Sequence, residues 1–234
     1  MQKTQQILLY ASHPEPCNYL PEESCINRFI DPNLDMNQRL YSQLVAQGFR
    51  RSGNMVYQPY CDECQACLPA RIPVNQFQPN RSQRRNQKSN QDISVTVKNS
   101  DFCEEHFQLY ARYLNSRHGD GSMANPTSES YQQFLITDWG ETLFVEFRLG
   151  ERLLAVAVTD QLNNGLSAVY TFFDPEEGKR ALGKFAILWQ IQHARRLGLE
   201  HLYLGYWIKE CRKMSYKGDY QPVEIFQQKQ WQIA

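Results

Sequence analysis

The chain has 234 residues, and its 25 basic residues balance its 25 acidic ones, so the formal net charge is zero. With 41% hydrophobic and 12% aromatic residues, it has enough apolar surface for a packed core, which excludes a wholly disordered chain. Its longest uncharged apolar runs fall far short of the roughly 18–20 residues of a membrane span, and its start lacks the pattern of a secretory signal. We therefore expect a cytoplasmic protein that makes no membrane contact.

Residues 1–90 are predicted to form a small, loop-rich N-terminal module that contains most of the cysteines and eight of the eleven prolines. One helix is predicted near Met36–Gln47, where apolar residues recur at helical spacing and Gly48 provides a stop. The segment Arg81–Gln91 is polar, basic and without apolar periodicity. This composition predicts a flexible hinge or a loop that a polyanionic ligand orders.

Residues 91–234 are predicted to form a second unit of alternating strands and helices. A loop rich in small and polar residues is predicted over His118–Pro126. The predicted strands are Ile93–Val97, Thr142–Leu149, Leu153–Gln161, Leu166–Phe173, Leu202–Trp207 and Glu224–Phe226, and the predicted helices are one after Asp101, one around Ser130–Leu135 and a long one over Arg180–Leu197. Three strands, a helix that begins with basic residues and glycine, and a further strand resemble the N-acyltransferase fold. We therefore expect an α/β (α+β) protein whose second unit has a mixed, mainly antiparallel sheet.

Three of the seven cysteines lie within seven residues, as Cys61, Cys64 and Cys67. Thiolates at this spacing are able to point at one centre, and a fourth ligand must then come from elsewhere in the chain. Cys17 is the best candidate, since Cys25 is flanked by apolar residues typical of buried positions. Four thiolates would suit zinc or an iron–sulfur cluster. The alternative is a set of ordinary reduced thiols in a turn.

Two segments favour binding of an anionic ligand. Gly183 and Lys184 begin the long predicted helix directly after a strand, and free N–H groups at a helix N-terminus favour phosphate. The stretch Leu202–Lys217 interleaves aromatic residues with lysine and arginine, which suits single-stranded nucleic acid. A plain capping turn and a solvated edge strand are the respective alternatives.

Motifs along nearly the whole chain resemble those of one family, the bacterial aspartate/glutamate leucyltransferases within the arginyl-tRNA–protein transferases. The motifs are Cys17–Pro21, Gly48–Gly53, Pro59–Cys67, Arg71–Val74, Arg81–Arg85, Ala155–Asp160, Leu166–Pro175, Tyr203–Trp207 and Lys213–Lys217. The resemblance implies a small cysteine module joined to an acyltransferase-like domain. It also implies transfer of leucine from leucyl-tRNA to the N-terminal Asp or Glu of a protein, which marks that protein for degradation as an N-degron.

The implied chemistry agrees with the residue types. An aminoacyl ester is already activated, so an amine attacks it without a cofactor, and the enzyme must bind a polyanion and an acidic N-terminal residue. We expect Arg71 and one of Arg81, Arg84 or Arg85 to bind the acidic side chain or tRNA phosphates. Asp160 and Tyr170, on adjacent strands, are expected to position the amine or transfer a proton. Gly183 and Lys184 are expected to hold the terminal nucleotide, and the rest of that cleft is expected to be lined by Tyr206, Lys213, Tyr216 and Lys217.

Three other functions stay open at this point. Transfer from arginyl-tRNA would need the same mechanism with another donor. A coenzyme A-dependent N-acetyltransferase would share the fold, but Phe185 stands where its phosphate loop needs a small residue. A non-catalytic, metal-containing RNA-binding module would explain the cysteines and the basic segments, but it would leave the predicted sheet and long helix without a role.

Overall fold

The structure is a computed structural model, and it describes residues 7–118 and 125–234. Most of the loop predicted over His118–Pro126 lies outside the described residues. None of the described helices has both the length and the apolar composition needed to cross a membrane.

Short strands and one helix form the N-terminal part. The strands are β1 (Leu9–Ala11), β2 (Glu15–Pro16), β3 (Ser24–Cys25), β4 (Asn27–Ile30), β5 (Arg50–Ser52) and β6 (Met55–Pro59). Four of them form a sheet in the order β1-β4-β6-β5, and β2 pairs with β3. The predicted helix is confirmed as α1 (Gln38–Ala46); Asn37 caps it by accepting the Leu40 N–H, and the chain turns away at Gly48, which has φ +88.

A second, larger sheet is the centre of the molecule. Its strands are β7 (Leu68–Pro73), β8 (Ser94–Asn99), β9 (Thr142–Leu149), β10 (Arg152–Leu162), β11 (Gly165–Phe173), β12 (His201–Trp207), β13 (Glu224–Gln227) and β14 (Gln230–Ile233). They are ordered β14-β13-β7-β12-β11-β10-β9-β8. The pairing of β11 with β12 is parallel and the other pairings are antiparallel, which confirms the predicted mixed sheet.

Four further helices are α2 (Arg81–Ser89), α3 (Glu104–His118), α4 (Ser128–Leu135) and α5 (Leu182–Arg196). The prediction of a hinge or loop over Arg81–Gln91 is therefore wrong. A capping box starts α2: the Asn80 side chain accepts the Gln83 N–H, and the Gln83 side chain accepts the Asn80 N–H. Gln83 is also buried and donates to the Asp219 carbonyl at 3.1 Å, so the helix is stabilised by polar contacts instead of an apolar stripe.

Both faces of the large sheet are covered, as the side chains of β10 show. Val156 and Val158 pack with α3 and α4, whereas Ala155 and Ala157 on the opposite face pack with the start of α5. Alternate residues of a strand point to opposite faces, so a strand buried on both sides reads as a continuous apolar run.

The N-terminal sheet is attached to the large sheet through α1. Tyr41, Leu44 and Val45 of this helix share one apolar cluster with Leu162 of β10 and Tyr203 of β12. In addition, β7 comes from the segment before residue 90 but pairs between β12 and β13. The division of the chain at residue 90 stays a prediction, while the large sheet takes strands from both sides of that position.

The turn between β5 and β6 approaches α4 closely, and this contact leads to a testable expectation. A Cβ atom at Gly53 would lie 1.8 Å from the Gln133 carbonyl oxygen, and Gly53 has φ +54. Gly150 has nearly the same φ, +57, with no atom within 4 Å of a Cβ. We expect Gly150→Ala to cost roughly 1–2 kcal/mol of unfolding free energy from backbone strain, and Gly53→Ala to cost clearly more in urea titrations. If the two substitutions lowered the unfolding free energy equally, α4 would have to move away from the turn at Gly53 without cost.

Candidate active site

Strands β11 and β12 separate within the large sheet. Their parallel pairing covers only Gly165–Ser167 and His201–Tyr203, although both strands continue beyond it. From there β11 stays with β10, and β12 stays with β7. We call the opening between residues 168–173 of β11 and 204–207 of β12 the strand gap. Backbone groups that face this gap need partners other than the opposite strand.

Arg50 of β5 occupies the base of the strand gap. Its guanidinium donates to Ser167 Oγ at 2.9 Å and to the carbonyl oxygens of Ala168 at 2.7 Å and Val169 at 3.4 Å. Gly205 of β12 makes room for it: this residue has φ +76, and a Cβ there would lie 3.0 Å from the Arg50 Cζ atom. A side chain from the N-terminal sheet thus bonds carbonyls beyond the last paired residue of β11.

Lys217 bonds the backbone of β12, on the other side of the strand gap from β11. Its Nζ donates to the Tyr206 carbonyl oxygen of β12 at 2.5 Å, and the residue is 5% exposed. It lies in a 3₁₀ turn, Ser215–Asp219, which Trp207 Nε1 holds by donating to the Ser215 carbonyl at 3.1 Å. Gly218 packs against the Trp207 ring, where a Cβ would come within 3.2 Å. Trp207 therefore fixes the turn that places Lys217.

The pKa of Lys217 is lowered from 10.5 to about 7, mainly by burial and then by the positive charge of Arg50, while Cys67 and Cys211 act in the opposite direction. Between these two pKa values the unfolded chain holds a proton that the folded chain has released, so unfolding free energy rises with pH. The rise for one such group reaches at most about 1.4 kcal/mol per pH unit.

The pH dependence of stability tests this shift. We expect the wild-type protein to gain unfolding free energy, relative to Lys217→Met, as pH rises from about 7.5 to about 9.5. Urea titrations of both proteins at the two pH values measure this difference, and other titrating groups cancel in the comparison. Parallel pH profiles for the two proteins would show that Lys217 titrates normally.

Tyr170 lies on β11 among other aromatic rings. Its ring centroid is 5.2 Å from that of Phe134, 6.1 Å from Tyr110 and 6.4 Å from Tyr113. Burial raises the pKa of its phenol, with nearby tyrosines adding to the rise. Its hydroxyl is therefore a neutral donor at pH 7. The predicted part of Tyr170 in catalysis stays a prediction. Burial, and after it the nearby Tyr113, raises the pKa of Tyr216.

Asp160 lies in a buried network and has little left to offer a substrate. Its carboxylate accepts from Arg51 Nε and Nη2 at 2.7 Å each, from Tyr41 at 3.0 Å and from Thr142 at 2.8 Å. The side chains of Arg51 and Asp160 are 0% and 5% exposed. Four bonds occupy the acceptor sites of two oxygens. The geometry supports a structural role, in which Asp160 holds β5 and thereby the neighbouring Arg50.

The N-terminus of α5 lies beside the end of β11. The helix begins at Leu182 and not at Arg180 as predicted, because Ala181 has a left-handed conformation with φ 48. A 3₁₀ turn over Pro175–Arg180 precedes it. Gly183 faces Phe173 of β11, and Lys184 Nζ donates to Ser82 Oγ of α2 at 3.4 Å. Helix α2 is thus next to the predicted phosphate site.

The basic side chains of α2 point to solvent. Its exposed cations are Arg81, Arg84, Arg85 and Lys88. Lys213, from the predicted nucleic-acid stretch, is also exposed. Together with Lys184 at the start of α5, the α2 cations form a positively charged surface near one end of the strand gap. This arrangement is suitable for nucleic-acid phosphates.

Two predicted binding residues have partners within the protein. Arg71 of β7 donates to Glu224 at 2.6 Å and lies over the Trp231 ring at 4.3 Å. Its charge is thus already neutralised, which gives its predicted role in binding an acidic side chain no support. The Tyr206 hydroxyl donates to the Gly48 carbonyl at 2.9 Å, so only the backbone of this residue faces Lys217.

A cavity of about 660 Å³ lies between the N-terminal part and β12, and it is lined by the cysteines. They are Cys17, Cys25, Cys61, Cys64 and Cys67. Burial and, to a smaller extent, the four other thiols raise the pKa of Cys67 to about 12. The structure therefore brings the four predicted metal ligands, Cys17, Cys61, Cys64 and Cys67, to one cavity. Cys25, which the sequence predicts to be buried instead of a ligand, lines the same cavity.

The thiols do not have the arrangement of a metal centre. Cys61 Sγ accepts the Ile26 N–H at 3.5 Å, and Cys25 Sγ accepts from Asn27 Nδ2 at 3.5 Å. Within residues 7–118 and 125–234, no group of three or more His, Cys, Asp or Glu side chains is placed to hold a metal ion. Zinc or an iron–sulfur cluster on Cys17, Cys61, Cys64 and Cys67 is therefore not confirmed, and the thiols as placed do not fit one.

Sequence reasoning missed the two residues that organise the site. Arg50 and Arg51 stand next to each other in the motif Gly48–Gly53, to which no role was given. The usable signal is the pair of adjacent arginines between two glycines, Gly48 and Gly53. Their separate roles arise because neighbouring residues of a strand point in opposite directions.

The chain was compared with known protein families and with individual proteins. The models for the N terminus and the C terminus of arginine-tRNA-protein transferase match residues 15–85 and 105–227. A Pseudomonas aeruginosa protein named aspartate/glutamate leucyltransferase is 52% identical over 231 residues, which cover 99% of this chain and 98% of that protein. A protein of the same name from Pseudomonas fluorescens is 51% identical over 233 residues, covering 100% and 99%.

A solved structure shows the same fold. The C-terminal domain of an Agrobacterium fabrum protein described as a lysylphosphatidylglycerol synthetase matches with a TM-score of 0.50 and 12% identity. The match covers 68% of this chain and 58% of that chain. At this identity only the fold is shared, whereas the two Pseudomonas proteins match almost the entire length and the family models match residues 15–85 and 105–227. The chain belongs to the arginine-tRNA-protein transferase family.

Proposed function

We propose that the protein transfers leucine from leucyl-tRNA to the N-terminal Asp or Glu of acceptor proteins, which would mark them for degradation as an N-degron. The observation that carries this proposal is the 52% identity, over 99% of the chain, to a protein named aspartate/glutamate leucyltransferase. The separated strands, the basic surface of α2 and the cations at the strand gap support it.

The chemistry needs little beyond positioning. The neutral α-amine of the acceptor attacks the ester carbonyl of the aminoacyl group, an amide C–N bond forms, and the ester C–O bond breaks. The ribose hydroxyl of the terminal adenosine leaves, and it takes up the proton that the amine loses. An activated ester supplies the driving force, so the transfer itself needs no cofactor, and the protein contributes proximity and charge stabilisation.

Each substrate has a place in this proposal. Gly183 and Lys184, at the start of α5, would hold the terminal nucleotide, and the α2 cations would hold phosphates of the acceptor stem. The aminoacyl group would enter the strand gap, beside the aromatic side chains around Tyr170. The phenol of Tyr170 would donate a hydrogen bond to the developing oxyanion or to the leaving hydroxyl.

Mass spectrometry tests the proposal directly. The purified protein is incubated with leucyl-tRNA and a peptide that begins with Asp, and we expect the peptide to gain the mass of one leucyl residue. An N-acetylated peptide and a peptide that begins with Ala are the controls, and they should gain nothing. No gain by the Asp peptide, on folded protein, would contradict the proposed function.

Arginine is a second candidate for the transferred residue. The matching family models are described by arginine-tRNA, so arginyl-tRNA is the alternative donor in the same assay. Transfer from arginyl-tRNA alone would keep the mechanism and replace the donor. An acetyl gain from acetyl-coenzyme A would instead indicate an N-acetyltransferase.

A further inference from the structure

Two cations at the strand gap bond only neutral groups. In the described part of the chain, the Arg50 guanidinium donates to one hydroxyl and two carbonyl oxygens. Lys217 Nζ contacts the Tyr206 carbonyl and, at 3.6 Å, the Met214 sulfur. Nearby arginines differ in this respect, since Arg51 is paired with Asp160 and Arg71 with Glu224. Arg50 therefore carries a charge that the protein itself does not neutralise, and Lys217 offers a second amine, which a bound carboxylate would hold in its charged form.

Keeping this charge is costly for the folded protein. Lys217 is almost completely buried and Arg50 is partly buried, and burial together with the charge of Arg50 disfavours the protonated form of Lys217. An unpaired charge removed from water destabilises the folded state unless an opposite charge is supplied. Charges that are left without a partner in a cleft are typical of sites that receive a ligand of the opposite sign.

We propose that Arg50 and Lys217 form the subsite for the side-chain carboxylate of the acceptor's N-terminal residue, and that they determine the preference for Asp and Glu. This inference rests on the proposed function, because it concerns the acceptor of that same reaction. Arg50 acts from β5, at the base of the strand gap, and Lys217 acts from the turn after β12. A carboxylate between them completes the ion pairs that the protein lacks.

The position also serves the reaction. In an N-terminal Asp, the α-amine and the side-chain carboxylate are attached to neighbouring carbons, so fixing the carboxylate also fixes the amine. Arg50 bonds the carbonyls of Ala168 and Val169, directly before Tyr170 in β11, so a carboxylate held at Arg50 would keep the amine on the Tyr170 side of the strand gap. Binding the acidic side chain thus places the nucleophile beside the aminoacyl ester.

Burial favours a carboxylate over a tRNA phosphate as the ligand of these two cations. Phosphates of a nucleic acid remain largely hydrated and are usually met by exposed cations, which this protein offers on α2. A single carboxylate is small and forms short hydrogen bonds with guanidinium and ammonium groups when both are shielded from water. The two kinds of anion consequently have separate places in the molecule.

The test compares two acceptor peptides that differ only in their first residue, Asp or Asn. Asn has nearly the same shape as Asp but no charge. We expect Arg50→Gln to lower the ratio of kcat/KM for the Asp peptide to that for the Asn peptide by about 10- to 100-fold, since a charged hydrogen bond is lost. The KM for leucyl-tRNA should stay unchanged.

Two further variants keep the test decisive. Lys217→Met keeps an unbranched side chain only one heavy atom shorter and should lower the same ratio, so the proposal does not depend on Arg50→Gln being stably folded. Arg28→Gln is the matched control, because Arg28 is also a part-buried arginine of the N-terminal sheet that bonds a neutral group, Gln58. It should leave the ratio at the wild-type value.

The outcomes separate this inference from the proposed function. A wild-type protein that leucylates neither peptide would contradict the proposed function itself. A wild-type protein that leucylates Asp peptides, with the ratio unchanged in Arg50→Gln and Lys217→Met, would overturn only the acidic subsite. If the variants raise the KM for leucyl-tRNA and lower kcat/KM equally for both peptides, the two cations bind tRNA phosphate. This result would overturn the acidic subsite as well.

Discussion

Asp160→Ala is expected to lower the free energy of unfolding by about 3–5 kcal/mol, because it leaves the Arg51 guanidinium buried without an opposite charge. Asp160 accepts four hydrogen bonds, from Arg51, Tyr41 and Thr142, and all three donors lose their partner at once. Urea titration of the variant measures the change. Activity should fall only through the loss of folded protein and of the position of β5.

An exposed pair with the same geometry is the control for burial. Arg180 also bonds both oxygens of an aspartate, Asp92, at 2.9 Å each, but these side chains are 20% and 50% exposed. Asp92→Ala should therefore cost far less unfolding free energy than Asp160→Ala, because water screens an exposed pair. Arg51→Met combined with Asp160→Leu should recover part of the stability lost in Asp160→Ala, since no unpaired charge then remains. Equal losses at Asp160 and Asp92 would contradict this account.

Replacing Arg81, Arg84 and Arg85 together by glutamine is expected to weaken tRNA binding and to make it less dependent on salt. Each phosphate contact adds about 0.7–0.9 to the slope of log affinity against log salt concentration, so the slope should fall by about 2–3. The three side chains are exposed on α2, while the helix is held through Asn80 and Gln83. The fold should accordingly be unaffected, and filter binding over a series of salt concentrations measures the slope.

A second triple variant removes the same charge from other elements. Arg39 of α1, Lys98 of β8 and Lys229 between β13 and β14 are exposed as well. Their replacement by glutamine should leave the slope within the error of the wild-type value. The assignment of α2 to tRNA fails if both variants reduce the slope equally, because net charge alone would then explain the effect.

Several elements could be predicted because their signal is local. The strands β9, β10 and β11 have continuous or alternating apolar residues between turn residues, and α5 has a helical repeat. Helix α2 was missed because its nine residues include four cations and no apolar stripe. Asn80 and Gln83, three residues apart, form a capping box that marks the start of the helix, but the polar composition of the segment draws attention away from it.

The small N-terminal sheet could not be predicted in the same way. Its strands are two to five residues long, and β1 exposes all of its side chains. Such strands have little periodicity of their own and exist because neighbours supply their hydrogen bonds. The membership of β7 in the large sheet is likewise a result of pairing with β12 and β13, which lie more than a hundred residues away.

The mixed fold, the family and the chemical kinds of residue in the site could be predicted from the chain, because periodicity and motif order are properties of its sequence. Which of the neighbouring arginines Arg50, Arg51 and Arg71 has an acidic partner depends on the tertiary structure. Arg71 meets Glu224 across 153 residues and Arg51 meets Asp160 across 109, whereas Arg50 meets carbonyl oxygens. Charge neutralisation acts over a few ångströms in space, so it depends on contacts between residues that are far apart in the sequence.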